Sequence, residues 1–187
     1  MRVLGIDPGS RYCGFGVVED AGGTRMRHLG HGVLALGDGP AMEERLKLLY
    51  AGLMRELALH RPDFVAVEDV FHARNARSAL VLGQARGVAL LSAAQAGVPV
   101  RSYPPSVIKQ AVTGTGRAEK EQVGRMVAVL LGVVVQGRLD ASDALATAIC
   151  GLLRGREPVV AEAPKGLSRP RGDWRASIAR TLRRAGK

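Results

Sequence analysis

Four acidic residues stand where the sequence predicts the ends of buried elements. Asp7 closes the apolar run VLGI, and Glu68 closes the run FVAV. Asp140 and Asp143 lie three positions apart at the start of the segment RLDASDALATAICGLL. Residues at the ends of neighbouring strands face one crevice of an α/β sheet, and positions i and i+3 share one side of a helix. The spacing therefore predicts that these four carboxylates line one cleft.

A cleft of this kind needs positive charge, because clustered carboxylates repel one another strongly without it. Hard divalent ions such as Mg2+ or Mn2+ prefer oxygen ligands, and the four histidines show no competing ligand spacing. Two such ions can hydrolyse a phosphodiester: one activates a water, and the other stabilises the oxygen that leaves the phosphorus atom. We therefore predict the four acids as catalytic metal ligands that hold two ions in each site.

Each carboxylate also has an ordinary structural explanation. Asp140 could cap a helix, and Asp143 could be a favourable acid in its first turn. Glu68 could lie in a solvated loop, and Asp7 could begin a turn before the proline that follows it. The segment ALATAICGLL contains one polar residue, Thr147, so the helix is predicted to be buried on most sides. Two acids at the mouth of a buried helix favour a bound partner.

The overall charge points to a polyanionic partner. The chain has 187 residues, 27 of them Lys or Arg and 17 Asp or Glu, with a net charge of +10. Nucleic acid is the first candidate and an anionic membrane surface the second. The N-terminal segment MRVLGIDPGS lacks the apolar stretch of a signal peptide, and the longest apolar run, at 126–135, is too short to span a bilayer. The two cysteines form no CxxC pair, which is typical of a reducing compartment. We therefore expect a cytoplasmic protein that does not cross a membrane.

Hairpins followed by alternating strands and helices indicate an α/β domain with a mixed sheet. The strands are predicted at residues 2–7, 13–19, 25–36, 64–67 and 98–102, and the helices at 41–60, 75–96, 105–112, 119–131 and 141–153. Residues 1–157 form the predicted domain. Residues 158–187 are predicted to be a flexible basic tail, because prolines interrupt it and positions 154–187 hold 10 basic residues against 3 acids. Trp174, Ile178 and Leu182 share one face of a possible short helix there, which could add DNA affinity or bind a partner.

Four blocks of the sequence, read in order, resemble the RuvC family of bacterial Holliday-junction resolvases, which belongs to the RNase H-like superfamily. The blocks are GIDPGSRYCGFGV, VAVEDVFHARNARSALVLGQARGVAL, YPPSVIKQAVTGTGRAEKEQV and RLDASDALATAIC. They lie within residues 1–153, and the tail carries no family motif. The resemblance implies an RNase H-like fold with a mixed five-stranded sheet flanked by helices. It also places the family's four acidic metal ligands on Asp7, Glu68, Asp140 and Asp143.

The resemblance further implies a homodimeric endonuclease that resolves four-way DNA junctions. It would nick two opposing strands symmetrically and leave 5′-phosphate and 3′-hydroxyl ends. Such an enzyme would cooperate with the RuvA–RuvB branch-migration complex. The family's basic positions fall on Lys109 and Lys120, and its aromatic residue after the glutamate falls on Phe71.

The residues themselves suggest how DNA is held. Phe71 could stack on an unpaired base at the junction, or it could simply pack in its loop. Arg74 and Arg77, in the segment VFHARNAR, are potential phosphate donors, as are Lys109 and Lys120 near the glycine-containing loop TGTGR. These five residues are our predicted DNA-binding set.

One helix is a candidate dimer contact. The segment SALVLGQARGVALLSAA carries Gly83, Ala85, Gly87 and Ala89, and small residues allow two helices to approach closely. The alternative is packing of this helix on its own sheet.

Two other functions compete with a nuclease. An actin- or hexokinase-like ATPase also places an aspartate at a strand end, but it needs a second lobe for which this chain has no room. A non-catalytic, structure-selective DNA-binding protein would suit the basic tail. Four acids in the predicted cleft count against it, because uncompensated acids repel DNA.

Overall fold

A mixed five-stranded sheet with helices on both faces forms the core of the chain. The structure, a computed structural model, describes residues 1–9, 11–69, 76–134 and 139–155. The strands are β1 (Arg2–Asp7), β2 (Tyr12–Asp20), β3 (Met26–Ala35), β4 (Phe64–Glu68) and β5 (Val100–Tyr103), and the helices are α1 (Met42–His60), α2 (Ala76–Gln95), α3 (Pro105–Thr113), α4 (Lys120–Leu131) and α5 (Leu139–Gly155). The predicted mixed sheet of five strands flanked by helices is confirmed.

The order of strands in the sheet is β3-β2-β1-β4-β5. The first three strands form an antiparallel meander, whereas β4 runs parallel to β1 and β5 runs parallel to β4. Helix α1 connects the meander to β4, and α2 connects β4 to β5. Parallel strands end at the same edge of a sheet, so β1 and β4 deliver their last residues side by side.

The two central strands are buried on both faces, as a continuous apolar run predicts. Leu4 and Ile6 of β1 pack in one core cluster with residues of α1 and α2. Val3 of β1 and Ala66 of β4 point to the opposite face and pack in a second cluster with residues of α3, α4 and α5. The central strands are therefore rigidly held, and the residues at their ends have fixed positions.

Helix α5 lies directly against β1 and β2 because glycines in those strands leave room for it. A Cβ atom added at Gly5 would lie 2.1 Å from the carbonyl oxygen of Ala144, and one added at Gly14 would lie 1.9 Å from that of Asp140. Between Ala141 and Leu152, all α5 residues except Asp143 are buried. The predicted burial of this helix is confirmed. It begins two residues before its predicted start, which places Asp140 in its first turn.

Other sequence predictions have clear outcomes. Cys13 and Cys150 are buried free thiols, as expected of core residues. Among the described residues, no helix has both the length and the apolar character needed to span a bilayer. The tail at 158–187, including its possible helix, lies outside the described residues, so its predictions stay predictions.

Glu19 of β2 is an ion-paired carboxylate that links the three antiparallel strands. It accepts a hydrogen bond from Arg2 Nη2 of β1 at 2.8 Å and another from Arg27 of β3. The hydrogen bonds from Arg27 and then from Arg2 lower the pKa of Glu19 from 4.5 to about 2. The folded state therefore holds this carboxylate in its charged form more strongly than the unfolded chain does.

Replacing Gly5 with alanine tests the close approach of α5. The new Cβ atom would meet backbone atoms on α5, so we expect a loss of about 3 kcal/mol in the free energy of unfolding, measured by urea denaturation. Gly39→Ala is the matched control, because no atom lies within 4 Å of its added Cβ. Equal stabilities for the two variants would show that the contact with α5 does not need a glycine.

Replacing Glu19 with glutamine tests its ion pairs through pH. A carboxylate whose pKa is lower in the folded state stabilises the fold above the unfolded pKa, near 4.5, and this contribution disappears as the pH falls towards 2. We expect the parent to be more stable than Glu19→Gln at pH 6, with a difference that narrows steadily from pH 4.5 to 3. Urea unfolding at each pH measures it, and a difference independent of pH would contradict the assignment.

Candidate active site

The predicted acidic cleft lies at the sheet edge where β1 and β4 end. Ile6 is paired with Val67 across these parallel strands. Asp7 and Glu68 occupy the next position on each strand, so the two carboxylates project from adjacent strand ends. The expectation that they share one crevice agrees with this register.

The N-terminal end of α5 adds the other two carboxylates, with Asp140 in its first turn and Asp143 three residues later. Asp7 is paired with Gly14 of β2, and the missing side chain of Gly14 lets the Asp140 backbone lie against the sheet beside it. The charges of Glu68, Asp143 and Asp140 all act on Asp7. The structure therefore brings the four predicted acids into one electrostatic neighbourhood.

Burial and mutual repulsion disfavour the charged forms of the two strand carboxylates. Burial first, and then the charges of Glu68 and Asp143, raise the pKa of Asp7 to about 7. Burial also raises the pKa of Glu68, and the charge of Asp143 adds to the effect. Lys120 acts in the opposite direction on both groups, and Lys109 does so on Glu68. The cleft thus holds more negative charge than its lysines neutralise.

Lys120 contacts the cluster directly. Its Nζ donates a hydrogen bond of 2.8 Å to Asp143 Oδ2, and this bond raises the pKa of the Lys120 ammonium. Lys109 of α3 lies across the same cleft, which both lysines line together with Glu68 and Asp143. The wall between them is mainly apolar and includes Pro105, Ile108, Val123 and Ala146. Two of the predicted DNA-binding residues therefore face the carboxylates.

The donor set suits a hard divalent cation by its chemistry. It consists of carboxylate oxygens, and the pKa of Asp7 is raised first by burial and then by the neighbouring carboxylates, whose charge a cation would offset. Across residues 1–9, 11–69, 76–134 and 139–155, however, no three Asp, Glu, His or Cys side chains converge closely enough to hold an ion. The carboxylates are neighbours, and their assignment as ligands stays a prediction.

Of the other predicted DNA-binding residues, Arg77 is among the described residues. It is exposed in the first turn of α2. Phe71 and Arg74 fall outside the described residues. Gly114 of the TGTGR loop has φ 80° and ends α3, so helix termination explains this glycine without a phosphate contact.

One contact beside the site was not predicted from the sequence. Asp69, which follows Glu68, accepts a hydrogen bond of 2.7 Å from Arg86 of α2. The available signal was compositional, because Arg86 is the one charged residue between positions 78 and 95. Cys13 is a second unpredicted neighbour: burial and the charge of Asp7 raise the pKa of its thiol to about 12, so it is an inert, protonated group near the cluster.

Comparisons with known proteins agree with this architecture. The family model described as "Crossover junction endodeoxyribonuclease RuvC" matches residues 3–151. A protein of that description from Myxococcus xanthus is 53% identical over 171 residues, which cover 90% of this chain and 89% of the relative. Another from Trichlorobacter lovleyi is 48% identical over 175 residues and covers 94% of this chain and 98% of the relative.

Solved structures lead to the same family. RuvC of Thermus thermophilus, in a structure described as a complex with a Holliday junction substrate, is 38% identical with a TM-score of 0.78. That match covers 83% of this chain and 95% of the other. The yeast mitochondrial Holliday junction resolvase, at 14% identity and a TM-score of 0.57, shares the fold. The fold is RNase H-like, as the sequence blocks implied. The chain therefore belongs to the RuvC family of crossover junction endodeoxyribonucleases.

Proposed function

We propose that this chain resolves Holliday junctions by metal-dependent hydrolysis at the cleft formed by Asp7, Glu68, Asp140 and Asp143. Two observations carry the proposal. Glu68 and Asp143 line a cleft together with two lysines. The charges of Glu68, Asp143 and Asp140 all act on Asp7 at the neighbouring strand end. Membership of the RuvC family supports it, as does the likeness to a relative described in complex with a Holliday junction substrate. The products would be 5′-phosphate and 3′-hydroxyl ends.

In this proposal the carboxylates bind the metal ions, and the lysines bind the DNA phosphates. The four carboxylates would hold Mg2+ or Mn2+, two ions in each site, whose chemistry when bound is to activate water and stabilise the leaving 3′-oxygen. Lys109 and Lys120 would bind the phosphates on either side of the scissile bond. The ammonium of Lys120 can exchange Asp143 for a phosphate oxygen, because its side chain is 63% exposed.

Residues at the start of α2 would hold the opened junction. Phe71 would stack on an unpaired base, and Arg74 and Arg77 would contact phosphates. The exposure of Arg77 supports its part in this arrangement. Such contacts bind DNA without reading its sequence, so they favour recognition of junction shape.

A homodimer would supply two identical sites for the two nicks. Leu80, Gly83, Gly87 and Leu91 form one exposed face of α2, which we call the α2 face; Leu80 is 71% exposed and Leu91 is 52% exposed. No atom lies within 4 Å of an added Cβ at either glycine. The predicted contact needs one correction: Ala85 and Ala89 are buried in their own core cluster, because that side of α2 faces the sheet. The α2 face is therefore the part of this helix that a second copy could cover.

Further partners follow from the family. We propose that the enzyme acts in the cytoplasm on four-way junction DNA and cooperates with the RuvA–RuvB complex. The tail at 158–187 would add affinity for DNA that does not depend on sequence, since it carries an excess of basic residues.

Replacing Asp7 with asparagine separates binding from cleavage. The variant loses one buried carboxylate but keeps the shape of the strand end. We expect it to bind a synthetic four-way junction at least as tightly as the parent and to cut it at least about a hundredfold more slowly. Gel-shift and single-turnover cleavage assays measure the two effects, with the protein stripped by EDTA and then given Mg2+ or Mn2+ in turn.

The matched control for that experiment is Asp63→Asn, at the start of β4 and the opposite edge of the sheet. It should cut at nearly the parental rate. If the parent binds junctions and cuts none with either ion, a DNA-binding protein without catalysis is the better description. ATP hydrolysis by the parent would favour the ATPase class instead. An Asp7→Asn variant that cuts normally would remove Asp7 from the site.

Replacing Gly87 with glutamate tests the dimer. A charged side chain would project from the α2 face, while the backbone would gain about 1 kcal/mol of helix propensity over glycine. We expect the parent to sediment as a dimer at assay concentrations and Gly87→Glu to sediment as a folded monomer. Ala51→Glu, exposed on α1, is the control and should remain dimeric. A monomeric parent, or a dimeric Gly87→Glu, would contradict this interface.

A further inference from the structure

Arg86 of α2 links the residue that follows β4 to strand β5, beside the proposed active site. Its Nη2 donates a hydrogen bond of 2.7 Å to Asp69 Oδ1 and another of 2.7 Å to Ser102 Oγ. The Arg86 side chain is 26% exposed and that of Asp69 is 20% exposed. A partly buried guanidinium with two short hydrogen bonds holds its acceptors more firmly than an exposed ion pair does.

Asp69 is the residue that directly follows Glu68. Its backbone N–H donates a hydrogen bond of 2.9 Å to the carbonyl oxygen of Tyr103, and Tyr103 is the residue paired with Glu68 on β5. The peptide unit after Glu68 is thus fixed on its main chain by β5 and on its side chain by Arg86. Neither anchor uses a side chain of the four acids.

The ion pair with Arg86 also fixes the position of the negatively charged Asp69 carboxylate. The carboxylates that raise the pKa of Asp7 are Glu68, Asp143 and Asp140. Asp69 lies next to this cluster in sequence, but its carboxylate is bound by Arg86 towards α2 and β5. Without the guanidinium, a further negative group adjacent to Glu68 could turn towards a cleft that already has an excess of negative charge.

We propose that Arg86 is a positioning residue for the nuclease reaction: through Asp69, it fixes Glu68 at the end of β4. This inference rests on the proposed function. Arg86 also lies between Gly83 and Gly87, so the helix that presents the α2 face carries the group that fixes a carboxylate of the site. The position of α2 and the position of Glu68 therefore depend on each other.

The test compares Arg86→Gln, Asp69→Asn and the double variant with the parent on a synthetic four-way junction. We expect Arg86→Gln to lower the single-turnover cleavage rate at saturating enzyme by about ten- to a hundredfold, because small displacements of a positioned group cost about that much. The Kd for the junction should change by less than about twofold. In the double variant, removal of the Asp69 charge should offset part of the loss, so that it cuts no more slowly than Arg86→Gln alone.

Two further variants keep the experiment decisive. Arg55→Gln removes another Arg–carboxylate pair, with Glu56 on α1 and away from the cleft, and should leave the cleavage rate unchanged. If Arg86→Gln does not fold, as judged by circular dichroism and sedimentation, Arg86→Lys replaces it. A lysine keeps the charge, and its ammonium differs from the guanidinium in shape and in the position of its donors, so it should give a smaller loss of rate at the same Kd.

The outcomes separate this inference from the function on which it rests. A parent that binds the junction but does not cut it overturns the proposed function and this inference together. A parent that cuts, alongside an Arg86→Gln variant that cuts within about twofold of the parental rate, overturns the inference alone. It is also overturned if the losses in Arg86→Gln and Asp69→Asn multiply in the double variant, since independent residues would give that result.

Discussion

The close contact of α5 with the sheet is the constraint on which the rest of the structure depends. Two of the four acids lie on strand ends and two lie on a helix, so they share a cleft only if helix and strands nearly touch. Gly5 and Gly14 permit this, because a Cβ atom at either position would overlap the α5 backbone. Helix packing at ordinary distances, with side chains between helix and sheet, would move Asp140 and Asp143 away from Asp7 by several ångströms.

The charge distribution becomes intelligible once that cleft exists. A chain with a net charge of +10 can attract a polyanion from a distance, yet the proposed reaction centre is acidic. The fold brings acidic and basic groups to this cleft from different elements. The acids lie at strand ends and near the start of a buried helix, whereas Lys109 and Lys120 approach them from α3 and α4. A phosphate would therefore meet the lysines and the acids in the same small volume.

Much of this arrangement could be predicted from the sequence, because it is local. The run FVAV predicts a strand buried on both sides, and ALATAICGLL predicts a buried helix. A segment with almost no polar residues has no side suited to water. The exposed side of α2 could not be predicted, because Gly83 and Ala85 look equally suited to a contact until the sheet covers one side. The pair of Arg86 and Asp69 was missed for a related reason. It spans 17 positions and depends on how α2 crosses β4 and β5, which leaves no periodic pattern.

The hydrogen bond between Lys120 and Asp143 has a consequence for the order of events in the cleft. In the free protein this lysine is an internal counter-ion, which partly neutralises a carboxylate that a divalent ion would also use. One ammonium cannot serve a carboxylate and a DNA phosphate equally well at the same time. With the site roles proposed above, substrate that drew the ammonium away would leave Asp143 more available to a cation, and a cation on Asp143 would release the ammonium for substrate. By thermodynamic reciprocity, each ligand would then strengthen the binding of the other to the same extent.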